Sequence, residues 1–221
     1  MSSSFVDMLS MVGEATVQTL IMVFFSMVFS LVLGFPVGVL LSVTRAGSLH
    51  PRPLLNQVLS KIVNILRAFP FIILIIVLFP LTRVIVGTAI GTTATIVPLS
   101  IAAAPFVARI IETALNEVDP ELIQAARAMG STNWQIITKV LIPEALPALV
   151  DGLTLTVINL IGYSAMAGII GGGGLGDLAN RYGYQRFRTD ILIASVIVIL
   201  ILVEVIQAVG STISRRIQDR R

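Results

Sequence analysis

The residues best placed to do chemistry lie between Asp119 and Pro143. Glu121-Leu-Ile-Gln-Ala-Ala-Arg-Ala-Met-Gly130 is a polar, charged island in a chain of 221 residues that is 56% hydrophobic and 12% charged. Its chemistry is recognition, not catalysis. The small Ala125–Ala126 pair lets another surface come close, and Glu121 and Arg127 give that contact polarity. Asp119 suits an N-cap, Pro120 the first helical position, and Gly130 a helix-ending residue. Ser131 or Thr132 can cap a second short helix through Trp134 to Val140, which Pro143 is expected to end. An amphipathic helix lying on lipid headgroups is the competing reading. The alanine-rich face, without Trp, Phe and Leu, argues against it.

A second group is Gly171-Gly-Gly-Gly-Leu-Gly176, whose Gly171, Gly173 and Gly176 reproduce the dinucleotide-binding string. That string needs a preceding strand and a βαβ unit, and here it follows a long apolar run. No Gly-Lys-Ser/Thr follows either. The whole chain lacks a Walker A motif, so ATP used on its behalf must be hydrolysed by another polypeptide. Two readings stay open: a flexible turn, or a re-entrant or docking segment. In the second, Gly174, Gly176, Asp177, Arg181 and Tyr182, followed by Tyr184 and Arg186, would contact an external protein. There are no cysteines and one histidine, His50. Disulfides, thiolate chemistry and His- or Cys-rich metal sites are therefore excluded, and no catalytic residue or metal site is expected.

The elements that must position these groups are membrane helices. A soluble domain carries roughly a quarter charged residues. Half that fraction, with a mean hydropathy of +0.96, puts most of the chain in lipid. About 20 apolar residues cross the hydrocarbon core, and five runs qualify, at about 17–43, 62–82, 84–107, 146–170 and 191–210. They form one transmembrane domain over 1–221, with the polar loop at about 112–143. The first Lys or Arg is Arg45, so the first run reads as a retained span rather than a signal peptide. Arg45, Arg52, Lys61, Arg67, Arg109, Arg127, Lys139, Arg215, Arg216, Arg220 and Arg221 fall on one side. Arg83, Arg181, Arg186 and Arg188 fall on the other. The positive-inside rule makes the first side cytoplasmic, with the N-terminus outside and the C-terminus inside.

Within the spans, Gly34, Pro36, Gly38, Pro70, Pro80, Pro98 and Pro105 predict kinks and close packing, or a shaped pathway. Ionisable residues at depth are candidates by default. Arg67 is expected to snorkel to the interface. Asp151 could meet a basic group of the polar loop or face water. Glu204 is the deepest acid, expected to be hydrogen-bonded and near an interface. Met166, in Tyr163-Ser164-Ala-Met166, reads by composition as ordinary packing.

Gln124-Ala125-Ala126, Gly130 and Val140-Leu-Ile-Pro143, with nine residues between the last two, resemble the EAA loop of prokaryotic ABC importer permeases. The family pattern has Glu where this chain has Gln124, and Leu-Pro where it has Ile142-Pro143. Asn64-Ile-Leu-Arg-Ala-Phe-Pro-Phe-Ile-Ile-Leu, Thr82-Arg-Val-Ile-Val-Gly-Thr, Ala103-Ala-Pro-Phe-Val-Ala-Arg, Gly162-Tyr-Ser-Ala-Met, Gly174-Leu-Gly and Tyr182-Gly-Tyr are similar to the methionine-importer permeases of bacteria.

The resemblance covers roughly 17–210. It implies an all-α, five-span permease of the bacterial inner membrane, N-terminus periplasmic, working as a homodimer. Glu121, Gln124, Ala125, Ala126, Arg127, Gly130 and Pro143 would dock into an ABC ATPase dimer. Met166, with Tyr163 and Ser164, would close the pathway against its symmetry mate. A periplasmic substrate-binding lipoprotein would dock at the outer loops. ATP and Mg²⁺ would be used by the ATPase, with no cofactor on this chain and no nucleic-acid partner. Methionine, L- and possibly D-, is the implied cargo. The alternatives are a permease for another amino acid or small organic solute, and an ion-coupled secondary transporter.

Overall fold

The computed structural model describes residues 2–219, and the side chains of residues 6–219. Ten α-helices run in chain order, with no strand among the described residues: α1 Ser2–Thr44, α2 Pro53–Ala68, α3 Phe71–Val77, α4 Phe79–Val86, α5 Thr92–Asn116, α6 Pro120–Ala128, α7 Asn133–Ile136, α8 Ile142–Ile169, α9 Gly174–Leu178 and α10 Thr189–Gln218. Two π-helical stretches, Ile137–Leu141 and Ala179–Tyr184, join α7 to α8 and extend α9.

Helices α1, α5, α8 and α10 are each long and apolar enough to cross a membrane, and α2 with α3 makes a fifth span if the bent pair counts as one. The expected continuous helix at 62–82 does not form. Phe69 and Pro70 are extended, at ψ 126° and 125°, and α2 and α3 meet at 100°. The ring of Pro70 pushes the preceding residue out of the α region, so the chain turns there instead of crossing straight. Pro80 opens a new helix, α4, rather than flanking the old one. The third span starts at Thr92, not at 84. Gly87 (φ 85°) ends α4 and Gly91 (φ 102°) precedes α5, so 84–86 belong to the hairpin before it.

Helix α1 lies along α5. Its buried side is Val12, Ala15, Thr19, Met22, Val23, Ser26 and Ser30, a three- and four-residue repeat that marks one helix face. Gly34 and Gly38 continue that stripe. A Cβ on either would lie 2.5 Å from the carbonyl oxygen of Ala104 or Ala108 of α5. Without a side chain the two backbones touch, which is how membrane helices gain packing where no hydrophobic force acts between them. Pro98 and Pro105 are buried inside α5, and Pro36 sits in α1.

Two buried clusters divide the bundle by height. One gathers Val43, Leu49, Ile111, Leu115, Ala126, Ile136, Leu141 and Leu149, and this end carries α6 and α7. The other holds Met22, Phe71, Leu99, Leu160 and Ile161, and beyond it a small cluster seats Leu175, Leu178 and Ile191 of the α9 end. Helix α10 leaves Ile193, Val196, Ile197, Leu200, Ile201 and Val205 exposed, a face suited to hydrocarbon.

Candidate functional site: a polar knob, an aromatic stack and a glycine wedge

The knob at one end is built from local signals. Asp119 accepts a hydrogen bond from the Glu121 N–H at 2.9 Å and Pro120 opens α6. Gly130 stands at φ 79°. Its N–H donates to Arg127 O at 2.9 Å and the Ser131 N–H to Ala126 O at 3.1 Å. These two bonds make a Schellman motif with Gly130 at C′. Thr132 and Gln135 then form a full capping box for α7. Pro143 does not end this second helix. The chain stays helical from Asn133 to Ile169, because Ile137–Leu141 widens to π geometry, with Ile142 N–H bonding Ile137 O. That bulge absorbs the bond a proline cannot make, and Pro143 falls in the first turn of α8.

Ala126 is buried at 3% exposure and pins α6 to the bundle, while Glu121, Gln124, Ala125 and Arg127 are exposed. Met129 at 80% and Trp134 at 73% add two large apolar groups to the same surface. The sequence reading gave neither a contact role, Trp134 serving only to place the second short helix. The signal was present, since the one tryptophan of the chain lies outside every apolar run. His50, in the α1–α2 connection, lies 2.9 Å from Asn133 Nδ2. A cavity of about 260 Å³ separates that connection from α6, with Arg45, Asn116, Gln124 and Arg127 in its wall.

The three residues expected at a gate have different environments. Ser164 is buried and donates to Ile161 O of its own helix at 2.7 Å. Met166 is 44% exposed on α8. Tyr163 stacks on Phe71 with ring centroids 4.6 Å apart, and Phe106 lies 6.5 Å from it.

At the opposite end, the glycine-rich segment is a wedge, not a flexible turn. Gly174, at φ 75°, donates its N–H to Gln18 Oε1 at 2.9 Å, and Leu175 donates to Thr19 Oγ1 at 2.9 Å. The Gly91 N–H donates to Gly171 O at 3.0 Å. A Cβ on Gly174 would strike Thr19 and Met22, and one on Gly176 would strike the Ala165 backbone. Gly174 and Gly176 therefore pack inward. Asp177 pairs with Arg181, and the Arg186 guanidinium sits 4.5 Å over the Tyr182 ring. Tyr184 at 72% and Phe187 at 87% are the exposed aromatic groups here. Phe187 was missed from sequence. It is the one non-glycine residue at positive φ among the described residues, at 57°.

Three polar residues of the spans have distinct surroundings. Arg67 is exposed, and its guanidinium lies 5.0 Å over the Phe106 ring. Asp151 accepts from Ser214 of α10 at 2.9 Å and meets no basic group of the knob. Glu204 is exposed midway along α10, with no hydrogen bond or ion pair among the described residues.

Residues 34–221 match the family described as binding-protein-dependent transport system inner membrane component. The probable D-methionine transport system permease protein MetI of Vibrio cholerae is 49% identical over 206 residues, covering 93% of this chain and 92% of that one. The Escherichia coli K12 D-methionine transport system permease protein MetI is 56% identical over 151 residues, 68% of this chain and 70% of that one. A solved structure of the MetNI methionine ABC transporter in inward-facing conformations superposes at a TM-score of 0.93, with 48% identity and coverage of 96% and 98%. An amino-acid ABC transporter solved with histidines shares the fold at a TM-score of 0.79 and 21% identity, over 96% of this chain and 97% of that one. This multi-pass chain belongs to the family of inner-membrane components of binding-protein-dependent transport systems.

Proposed function

We propose that this chain is the membrane permease of an ABC importer for methionine, working as a homodimer with a separate ATPase pair below and a substrate-binding lipoprotein above. The knob end is then cytoplasmic. Arg45, Arg127 and Lys139 lie on segments of the buried cluster at that end, Arg52 is bonded to Thr44 at the end of α1, and Arg215 and Arg216 flank the α10 end that bonds Pro147, in keeping with the positive-inside rule. The N-terminus is periplasmic and the wedge of α9 faces the binding protein.

The observation that carries this reading is the knob itself. A membrane bundle that holds a capped helix pair at its end, anchored by buried Ala126 and exposing Gln124, Met129 and Trp134, has built a surface for a soluble partner. Apolar groups so exposed next to charged ones have the composition of an interface core. The relatives named for methionine transport supply the cargo.

In the proposed cycle, ATP closes the ATPase dimer and displaces α6 and α7 as one body. The continuous helical path from Asn133 to Ile169 carries that displacement to Met166. Two copies of Met166 meeting across the dimer axis seal the path by excluding water, without burying a charge. Hydrolysis resets the gate. Mg²⁺ and ATP stay on the ATPase chains.

Uptake of radiolabelled methionine into proteoliposomes holding the permease, its ATPase and its binding protein tests the reading. ATP-dependent accumulation is expected. Absence of methionine uptake, with another solute accumulated instead, overturns the cargo. Purification of the permease without any ATPase overturns the coupling role.

A further inference from the structure

Helix α8 turns one side away from the rest of the protomer. Leu155, Asn159, Gly162 and Met166 are exposed there, four, three and four residues apart, the spacing of a single helix face. The other sides are occupied, with Thr154, Thr156, Leu160, Ile161, Ser164 and Ala167 buried. Asn159 is the polar member of the exposed face. It is ten residues before the end of α8 at Ile169. At about 1.5 Å per residue that is roughly 15 Å, half of a hydrocarbon core about 30 Å thick. Its amide has no hydrogen-bond partner among the described residues. Hydrocarbon offers an amide none either, so a group held at this depth faces water or protein. Helix α1 carries a lipid face at the same height. Its Met22 and Val23 share a buried cluster with Leu160 and Ile161 of α8, and the exposed residues beside them are Leu20, Ile21, Phe24 and Phe25.

In both directions the α8 face leads to a place that a solute path needs. Met166 is seven residues on, about 10 Å away at the same rise. Gly152 is seven residues back, and with Ala148 it continues the three- and four-residue spacing. These two line a cavity of about 220 Å³ whose wall also carries Arg67, Arg109, Thr113 and Glu117. Asn159 thus stands midway between a charged opening and the residue proposed as the gate. Gly162 beside it has nothing within 4 Å of where a Cβ would be, which leaves room next to the amide. An amide donates and accepts without net charge. It can serve a carboxylate and an ammonium in turn, and it holds neither as tightly as an ion pair does, which a path that must release its solute requires.

We propose that Asn159, one from each copy of the homodimer, lines the solute path between this cavity and Met166 and hydrogen-bonds the α-ammonium and α-carboxylate groups of the passing amino acid. This rests on the amino-acid importer reading and adds a path residue on the cytoplasmic side of its gate.

The chain has no cysteine, so an introduced thiol is the single one on the permease. In the permease–ATPase complex in lipid nanodiscs, without nucleotide, a cationic methanethiosulfonate reagent modifies Asn159→Cys at least tenfold faster than Phe24→Cys, read on the permease band. In proteoliposomes with ATPase and loaded binding protein, Asn159→Leu takes up methionine roughly tenfold more slowly than native, the worth of one hydrogen bond to a charged group. Asn159→Gln recovers most of that rate. Asn159→Leu keeps the native ATPase response to binding protein, which a damaged assembly does not.

The proposal falls if Asn159→Cys reacts no faster than Phe24→Cys, which returns this face to lipid or to a dry contact between copies. It falls equally if Asn159→Leu transports as native does, or if uptake and ATPase response are lost together. Should Asn159→Leu fail to assemble, the labelling rate and uptake by Asn159→Ala decide. Uptake by the native, complete transporter reads the cargo separately. Native uptake with a failed Asn159 leaves the importer reading standing, and no native uptake removes both.

Discussion

Gly130 gives the most demanding test, because conformation and space separate there. Its φ is 79°, and nothing lies within 4 Å of where a Cβ would be. A Cβ would meet no neighbour, so the penalty for Ala is backbone strain. For an ordinary L-residue the left-handed region costs about 1–2 kcal/mol. That is a factor of roughly 5–30 in the ratio of formed to unformed joint. Asn tolerates this region several-fold better than other residues. The order Gly, Asn, Ala, Val is therefore expected, although Asn is larger than Ala. In proteoliposomes with ATPase and binding protein, Gly130→Asn retains most methionine uptake, Gly130→Ala loses several-fold, and Gly130→Val loses tenfold or more. ATP hydrolysed per methionine rises in the same order, because the joint between α6 and α7 no longer transmits. Ala performing as well as Gly, with Asn worse than both, would mean that size at the ATPase contact governs, and the strain argument would be refuted.

Gly38→Leu forces α1 off α5, where a Cβ already comes within 2.5 Å of Ala108 O, and should lower the melting temperature of the complex in detergent by an overpacking cost of about 1–3 kcal/mol. Gly13→Ala, with nothing within 4 Å, should hold or slightly raise it, since Ala is the better helix former by up to about 1 kcal/mol; equal effects at both sites would contradict the close-packing account. Thr132→Ala removes a capping box worth about 1 kcal/mol and should speed hydrogen exchange at Trp134–Ile136 severalfold, with unchanged exchange counting against it. Met166→Ser should let a small solute leak from loaded, ATP-free proteoliposomes, whereas a seal as tight as native would remove Met166 from the gate.

The parts legible in sequence are those governed by neighbours in the chain. Asp119, Pro120, Gly130 and Thr132 act within four residues of themselves, and each stands where local chemistry puts it. What failed was set from a distance. Pro143 reads as a stop, yet a π bulge one turn earlier lets the helix continue, an option no propensity encodes. Pro70 reads as a span boundary, yet it bends one membrane element by 100°. The glycines at 174 and 176 read as exposed because glycine-rich runs usually are. They are covered because Gln18 and Thr19, 156 residues earlier, accept the N–H groups of Gly174 and Leu175, and the Ala165 backbone lies against Gly176. The ring of Phe106 beneath the Arg67 guanidinium is likewise supplied by a distant element, α5.

These distant constraints explain why the two ends of α8 can act together. At one end, Ala126 of α6, Ile136 of α7, Leu141 of the bulge and Leu149 of α8 share a single buried cluster with Ile111 and Leu115 of α5. Close packing in such a cluster resists compression, so a push on the knob moves α8 rather than denting the contact. Along α8, Gly152 lies directly against Ile110 of α5 and Thr154 against Gly210 of α10, so the helix is held from two sides and moves with its neighbours. At the far end, Gly168 of α8 meets the backbone of Gly176 and Asp177, and α9 is bonded in turn to Gln18 and Thr19 of α1. Gly168 and Gly176 thus serve as contact points between backbones, where a displacement cannot be lost to side-chain rotation, while Gly152 and Gly210 seat the side chains of Ile110 and Thr154. Along this rod the hydrogen-bond pattern departs from the α-helical one in the π stretch beside Pro143. In the proposed cycle, a hinge there, between the packed knob and the packed α8, is what would let an ATPase stroke change the tilt of α8 without unpacking either end.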